Sequence, residues 1–194
     1  MSLKERNYSV LIVSNAPKFS ASLCKLLEEE HCFTIETEQS VSAARRRVLE
    51  QDFDLVFITV PLPDENGVSF SIDLCTEKGC VAALFVASEY YEQIFSHVSP
   101  YGVYVLPRPL PTQLVSQALD WMQSTRERLR GLEKKSSSLE QKMQEIRTIN
   151  RAKWLLISER SMTEEQAHKY LERAAMDRCV TKLTIAEEII GMFG

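Results

Sequence analysis

Residues 121–194 carry more basic than acidic side chains and can therefore bind a polyanion. The 194-residue chain has a net charge of −4, but residues 1–120 hold 9 Lys and Arg against 16 Asp and Glu, whereas residues 121–194 hold 14 against 11. Arg147 and Arg151 are four residues apart, a spacing that puts two side chains on one face of a helix. Because such a face neutralises phosphates, the charge distribution favours a polyanion partner for residues 121–194.

Regularly spaced apolar runs predict the framework of the front part. Each run is short, and stretches with helical spacing of apolar residues separate them. The runs are Tyr8–Val13, Phe33–Ile35, Leu55–Val60, Val81–Val86 and Val103–Leu106. Strands that alternate with helices form parallel βαβ units, so the pattern predicts an α/β fold with a doubly wound, five-stranded parallel sheet of the flavodoxin or CheY-like type. In such folds the working site lies beyond the carboxyl ends of the strands.

Two segments within residues 1–120 resemble response-regulator receiver domains. Phe53–Gly67 (FDLVFITVPLPDENG) is similar to their third strand and the following loop, and Tyr101–Leu110 (YGVYVLPRPL) is similar to their fifth strand. The resemblance covers residues 7–120. It implies a pocket in which three carboxylates hold Mg²⁺ and a lysine neutralises charge as a phosphoryl group moves onto the central Asp.

The chain departs from the receiver pattern at each of these pocket positions. Ser14 and Asn15 stand where the family has its acidic pair, and Thr59 stands where it has the acceptor Asp. We therefore predict a pseudo-receiver that has lost aspartyl phosphorylation, holds no metal or cofactor, and dimerises or binds a regulatory protein or another ligand. The other departures are Val86 and Ala87 in place of Thr or Ser, and Arg108 in place of Lys, while Asp64 and Glu65 lie farther along the loop.

A long helix is predicted from Val115 onward, because apolar or small residues recur at alternating steps of three and four. This spacing forms a heptad seam of about five repeats, which favours a parallel coiled coil that joins two chains. A solvated single helix or a linker is the alternative, although an exposed apolar seam on a lone helix promotes aggregation. The seam consists of Val115, Ala118, Met122, Thr125, Leu129, Leu132, Ser136, Leu139, Met143 and Ile146.

The last 55 residues predict a small three-helix bundle that resembles an ANTAR domain. Its second helix begins at a capping-box pattern, Thr163–Gln166. Trp154 departs from the family, which often has Gly after its Ala-Lys pair, so the indole is expected to alter either the helix packing or the RNA-facing surface. The stretches similar to the three ANTAR helices are Arg147–Leu156 (RTINRAKWLL), Thr163–Met176 and Leu183–Ile190.

The ANTAR resemblance implies transcription antitermination in the cytoplasm, since proteins of this family bind paired hairpins in nascent leader RNA. Unstacked loop bases can then be read while basic groups hold the phosphates. We predict a receiver-like domain over residues 1–120, a coiled-coil connector over 121–139 and an RNA-binding domain over 140–194, with the chain acting as a homodimer. The predicted RNA-binding residues are Arg147, Asn150, Arg151, Lys153, Arg173, Arg178 and Lys182.

Two other functions stay open, namely a DNA-binding response regulator and a protein-interaction adaptor that uses the acidic pseudo-receiver. Against DNA binding, Leu183–Phe193 has no run of base-reading Arg, Asn or Gln. An enzyme is not expected, because Ser14–Lys18 offers no glycine for a phosphate loop.

Neither a membrane span nor a disulfide framework is expected. The longest apolar stretch, Val81–Ala87, is far shorter than the roughly 20 residues that cross a bilayer. The five cysteines are an odd number without a CxxC pair, which favours buried free thiols in a reducing compartment.

Overall fold

The computed structural model describes residues 7–29 and 33–193, and these form two compact units, Met1–Arg130 and Gly131–Gly194. Strands and helices alternate through the first unit as predicted. The elements are β1 (Tyr8–Val13), α1 (Pro17–Glu29), β2 (Phe33–Glu38), α2 (Val41–Glu50), β3 (Leu55–Thr59), α3 (Val68–Glu77), β4 (Val81–Ala87), α4 (Tyr91–Val98), β5 (Tyr104–Arg108), α5 (Thr112–Arg160), α6 (Glu164–Asp177) and α7 (Lys182–Phe193).

The five strands form one parallel sheet in the order β2-β1-β3-β4-β5, which confirms the predicted CheY-like fold. β1, β3 and β4 are buried almost throughout, as continuous apolar strands covered on both faces must be. β5 runs two residues beyond the predicted strand, so Arg108 is its last residue and pairs in register with Ala87 of β4.

Each face of the sheet packs against its own hydrophobic core. One core holds Leu11, Val56 and Leu84 with apolar side chains of α2, α3 and α4. The other holds Ile12 and Phe57 with apolar side chains of α1 and of the first part of α5. The four cysteines in the described residues are free, but only Cys80 is buried, so the prediction of buried thiols is wrong for half-buried Cys24 and Cys75 and for exposed Cys179; Cys32 lies outside these residues.

The first half of the predicted heptad seam packs inside the chain instead of facing a second chain. Met122 is part of the core on one face of the sheet, Val115 and Leu129 pack against that core, and Ala118 is buried as well. The predicted seam is therefore wrong between Val115 and Leu129, because its spacing is that of any helix packed on a sheet. Beyond that point, Leu132, Ser136, Leu139, Met143 and Ile146 are all exposed, and we call these five residues the exposed seam.

A buried carboxylate ties the middle of α5 to the amino-terminal ends of β1 and β3. Asp54, only 8% exposed, accepts hydrogen bonds from the backbone N–H of Ser9 at 3.1 Å, from Arg126 Nε at 2.9 Å and from Arg130 Nη2 at 2.7 Å. The Arg130 guanidinium also lies 5.3 Å from the centre of the Tyr8 ring. These contacts extend the packing of α5 on the sheet as far as Arg130.

The end of α5 forms a three-helix bundle with α6 and α7, as predicted. The core of the bundle is made of small and branched apolar residues, among them Ala152, Leu156, Leu171 and Ile189. The predicted capping box begins α6, since Thr163 Oγ1 accepts from the backbone N–H of Gln166 at 3.3 Å and Gln166 Oε1 accepts from that of Thr163 at 2.9 Å. In the described part of the chain, no helix is long and apolar enough to cross a membrane.

We expect Asp54→Ala to destabilise the first unit by about 3–5 kcal/mol, because it leaves two partly buried guanidinium groups without their shared carboxylate. The measurement is the free energy of unfolding from urea titration. Asp52→Ala removes an exposed carboxylate two residues away and serves as the control. A loss below about 1 kcal/mol for Asp54→Ala would show that the cluster behaves like a surface ion pair.

Candidate nucleic-acid interface and the pocket at the carboxyl ends of the strands

Two hydroxyl groups satisfy each other where the receiver pattern has carboxylates. Thr59 ends β3 and Ser14 follows β1, and because these strands are neighbours the Thr59 hydroxyl donates to Ser14 Oγ at 2.9 Å. Both residues are buried, whereas Asn15 is exposed. Ser14 Oγ also accepts the backbone N–H of Ala16 at 3.1 Å, so the hydrogen bonds at this corner of the pocket join uncharged groups.

Arg108 brings a fixed positive charge to the same end of the sheet. Its side chain reaches from β5 past β4, and Nη2 donates to the backbone carbonyl of Val60, the residue after Thr59, at 2.6 Å. The Nε atom of Arg108 is buried and has no hydrogen-bond partner among the described residues. The guanidinium therefore binds the backbone at a position where the receiver pattern has a lysine beside carboxylates.

The hydroxyl position of the pocket holds apolar side chains. Val86 is buried and Ala87 is half-buried, while the hydroxyl of Ser88 donates to the backbone carbonyl of Arg108 at 2.8 Å. An open cavity of about 500 Å³ lies beside Arg108. It is lined by Phe19, Phe85, Ala87, Arg108, Pro109, Leu110 and Val115.

The nearest loop carboxylates are bound to α2 and do not complete a metal site. Asp64 accepts the backbone N–H groups of Val41 at 3.0 Å and Ser42 at 2.8 Å, and Glu65 lies 3.7 Å from Arg45. The hydrogen bonds from Ser42 and Val41 lower the pKa of the Asp64 carboxyl to about 2. Mg²⁺ prefers charged oxygen ligands, so two mutually bonded hydroxyl groups and a guanidinium do not fit this metal.

In the second unit, three of the predicted residues share one exposed face of α5. Arg147, Asn150 and Arg151 are spaced by three and four residues, and all three side chains face solvent. Within the residues that the structure describes, none of them makes an ion pair or a side-chain hydrogen bond. We call Arg147, Asn150 and Arg151 the basic stripe.

Three other predicted cations form ion pairs with carboxylates of α6 and α7 on the surface of the bundle. Lys153 lies 3.2 Å from Glu164, and Lys182 lies 2.6 Å from Glu172. Arg178 makes a bidentate ion pair with Glu188, in which Arg178 Nη2 donates to Glu188 Oε1 at 2.7 Å.

These contacts also change acid strength. The hydrogen bond from Lys182 lowers the pKa of Glu172, and that from Arg178 lowers the pKa of Glu188. Arg173 is exposed on α6 and has no ion-pair partner in the described part of the chain.

Sequence reasoning left open where the Trp154 indole goes. In the structure its side chain is 70% exposed and takes no part in the bundle core. It lies four residues beyond Asn150 and three beyond Arg151, so it continues the face of the basic stripe. Of the two expected effects of Trp154, the structure therefore favours a change of surface over a change of packing.

The structure also adds a cation that the sequence did not single out. The guanidinium of Arg160 lies 6.0 Å from the centre of the Tyr170 ring and 5.5 Å from that of Phe193. These contacts connect the end of α5 with α6 and α7, which points to a structural role for Arg160.

Comparison with known proteins identifies the second unit. The family model for the ANTAR domain matches residues 137–190. This part of the chain is an ANTAR domain. The chain therefore has the domain organisation of an ANTAR response regulator, with a receiver fold followed by an ANTAR domain. Such a protein is a regulator and not an enzyme.

The chain is also similar to two regulatory proteins. The transcriptional regulatory protein PdtaR of Mycobacterium tuberculosis is 24% identical over 186 residues, which cover 95% of this chain and 90% of PdtaR. The aliphatic amidase regulator of Pseudomonas aeruginosa is 33% identical over 87 residues, 45% of this chain and 44% of that protein.

Similar solved structures correspond to the first unit. The signal receiver domain of an HD domain-containing protein from Pseudomonas fluorescens superposes with a TM-score of 0.58 at 18% identity, over 65% of this chain and 93% of that one. A CheY-like receiver domain from Methanospirillum hungatei gives 0.56 at 15% identity, over 63% and 98%. These likenesses support the receiver fold.

We expect small phosphodonors to leave the chain unmodified, because the pocket offers hydroxyl groups already bonded to each other and no carboxylate to accept phosphoryl or hold Mg²⁺. The measurement is the intact mass after incubation with acetyl phosphate and Mg²⁺, with an intact receiver domain as the positive control. A stoichiometric phosphoryl adduct that disappears in Thr59→Ala would contradict the expectation.

Proposed function

We propose that this chain is a transcription antiterminator whose ANTAR domain binds hairpin RNA in nascent leader transcripts. In this proposal the receiver-like domain regulates binding without aspartyl phosphorylation. The observation that carries the proposal is the basic stripe, an exposed set of unpaired arginines and an asparagine on the part of α5 that belongs to the ANTAR domain.

The electrostatics of the stripe suit a phosphate backbone. Between Glu145 and Glu159, α5 has Arg147, Arg151 and Lys153 but no carboxylate. Because the two arginines have no internal partner among the described residues, binding a phosphate costs them no existing ion pair. An arginine can meet a phosphate with two parallel hydrogen bonds, and each contact releases condensed counterions.

Burial in α7 favours RNA over duplex DNA. A helix-turn-helix protein presents its last helix to the major groove. In α7, however, Ile185, Ala186 and Ile189 face the bundle core, and the exposed Glu187 is acidic. The amide of Asn150, by contrast, stands beside two arginines, where it can read the edge of an unstacked base while they hold the phosphates.

We also propose that two chains pair through the exposed seam. Leu132, Leu139, Met143 and Ile146 are each more than half exposed although they follow heptad spacing. A parallel pair buries them and sets Lys135 opposite the partner's Glu140, whereas an antiparallel pair sets like charges together. Two ANTAR domains held together then bind a two-hairpin RNA with a high effective concentration for the second contact.

In this proposal, RNA binding is regulated by a ligand or a protein segment that binds the first unit. The cavity is apolar in its lining apart from Arg108, so it suits a regulatory protein segment or a small ligand with an acidic group. The bound segment or ligand then plays the regulatory part that the phosphoryl group plays in an ordinary receiver domain.

The two arginines of the stripe are expected to dominate the salt dependence of RNA binding. Arg147→Ala and Arg151→Ala should each reduce the slope of log K against log salt by roughly 0.7–1, because each removes about one phosphate contact. Lys153→Ala, Arg178→Ala and Lys182→Ala should change it less, since these cations are already paired with Glu164, Glu188 and Glu172.

Fluorescence anisotropy with a two-hairpin leader RNA over a series of salt concentrations measures these slopes. Lys25→Ala removes an exposed cation from α1 and is the matched control. If Arg147→Ala and Arg151→Ala both bind with the native slope, RNA contacts a different face.

Charge on the exposed seam should separate the two chains. Leu139→Lys with Met143→Lys places like charges at adjacent seam positions, so we expect a monomer by sedimentation velocity at tens of micromolar, where the native chain is a dimer. Leu129 is unsuitable for this test, because it packs against the core of the first unit.

The matched control is Ser137→Lys with Gln141→Lys, which adds the same charge to the opposite face of α5 and should leave the dimer intact. A native chain that stays monomeric both alone and with RNA would refute the pairing. A dimer lost without any loss of two-hairpin affinity would separate pairing from recognition.

A further inference from the structure

The exposed indole of Trp154 has no partner of its own in the structure. It is 70% exposed, and no ring or cation contact to it occurs among residues 7–29 and 33–193. Tryptophan is highly buried on average, because its large apolar surface is costly to hydrate. A helix surface that keeps an indole in water, next to unpaired arginines, has the features of a binding surface.

We propose that Trp154 stacks on an unpaired base of the RNA hairpin loop, an inference that rests on the proposed RNA-binding function. The ligand is a nucleobase that has left the stack, and the basic stripe, which precedes Trp154 on the same helix face, holds phosphates next to it. Aromatic rings serve as stacking platforms for single-stranded nucleic acid because every base has a π face, while cations beside the ring track the backbone.

Charge complementarity favours RNA over a second copy of the chain. Arg147 and Arg151 precede the indole on its own helix face, seven and three residues before it, and no carboxylate occurs between Glu145 and Glu159. A second copy would bring the same cations to the contact, whereas RNA brings phosphates.

The heptad register leads to the same choice. It continues from Ile146 to Asn150 and then to Lys153, so Trp154 lies beside the seam positions. Lys153 forms an ion pair with Glu164 of the same chain, so the seam ends before the indole.

The chemistry also selects the loop over the stem of a hairpin. In an A-form stem the bases are stacked on each other and their faces are inaccessible to a side chain. Loop nucleotides can be splayed out, so an indole held about two helical turns from Arg147 can cover one base while the arginines bind the phosphates. A duplex without a loop offers only the phosphate contacts.

The test compares Trp154→Ala, Trp154→Phe and the native protein on one hairpin RNA, selected by the native protein from a pool with random loops, and on the same stem closed as a blunt duplex. We expect Trp154→Ala to weaken hairpin binding by roughly 5- to 150-fold and Trp154→Phe to bind close to the native level. The salt slope of Trp154→Ala should stay native, because stacking releases no counterions, whereas Arg147→Ala lowers the slope.

Fluorescence gives a direct readout of the indole. Trp121 is the second tryptophan and is exposed in the first unit, so Trp121→Phe leaves Trp154 as the single emitter. We expect the hairpin to quench this emission and the blunt duplex to leave it nearly unchanged. Because Trp154 lies outside the bundle core, its substitution should not lower the thermal stability of the bundle.

Each other outcome overturns the inference in a recognisable way. If Trp154→Ala binds within about twofold of native while Arg147→Ala is weakened, RNA binding stands and stacking is refuted. If Trp154→Ala changes the sedimentation of the free protein, the indole contacts a second copy instead. If the native protein selects no hairpin from the pool, the proposed function fails, and the stacking proposal fails with it.

Discussion

The buried carboxylate of Asp54 is the constraint on which the course of α5 depends. It joins β1, β3 and α5 through one backbone amide and two guanidinium groups, at separations of 2.7–3.1 Å. An unpaired carboxylate in this place would be strongly unfavourable, so β3 and α5 must be present together for the cluster to be satisfied. The face of α5 that packs on the sheet therefore reaches Arg130, and the seam positions that face water begin at Leu132.

Among the described residues, the carboxyl ends of the strands offer no cluster of carboxylates that could hold a receiver metal. A receiver pocket concentrates negative charge that a cation must offset. Here Thr59 and Ser14 satisfy each other, and Arg108 binds the backbone carbonyl of Val60. None of these contacts needs an ion or a phosphoryl group, so the fold does not depend on either. The unused hydrogen-bonding capacity in this region belongs to Arg108, whose buried Nε has no partner among the described residues.

Much of the fold could be predicted because it follows from local periodicity. Alternating buried strands and helices predict the parallel sheet, and the capping box at Thr163 predicts the start of α6. The seam over Val115–Leu129 was misread because a helix packed on a sheet and a helix packed on a partner both repeat every three or four residues. Asp54 and Arg130 were missed because they are 76 residues apart, and no local pattern reports such a contact.

The candidate site could be predicted only as a set of cations. Composition and spacing identify the arginines and lysines, but pairing depends on tertiary contacts such as Arg178 with Glu188, ten residues away across a turn. The distinction matters because a paired cation must give up a carboxylate before it can bind a phosphate. The exposure of Trp154 could not be predicted for the same reason. Its position in the sequence does not tell whether the indole faces the core or water.

The change of character along α5 would couple the two proposed interactions, the pairing of chains and the binding of RNA. The exposed seam is apolar up to Ile146, and the next residue, Arg147, begins the basic stripe. In the proposed parallel pair, Lys142 of one chain stands opposite the partner's Arg147, a like-charge contact that weakens the coiled coil at this end. A phosphate placed between these groups turns the repulsion into attraction. In the proposed complex, RNA on the stripe would therefore stabilise this end of the pair. By linkage, pairing would then strengthen RNA binding to the same degree.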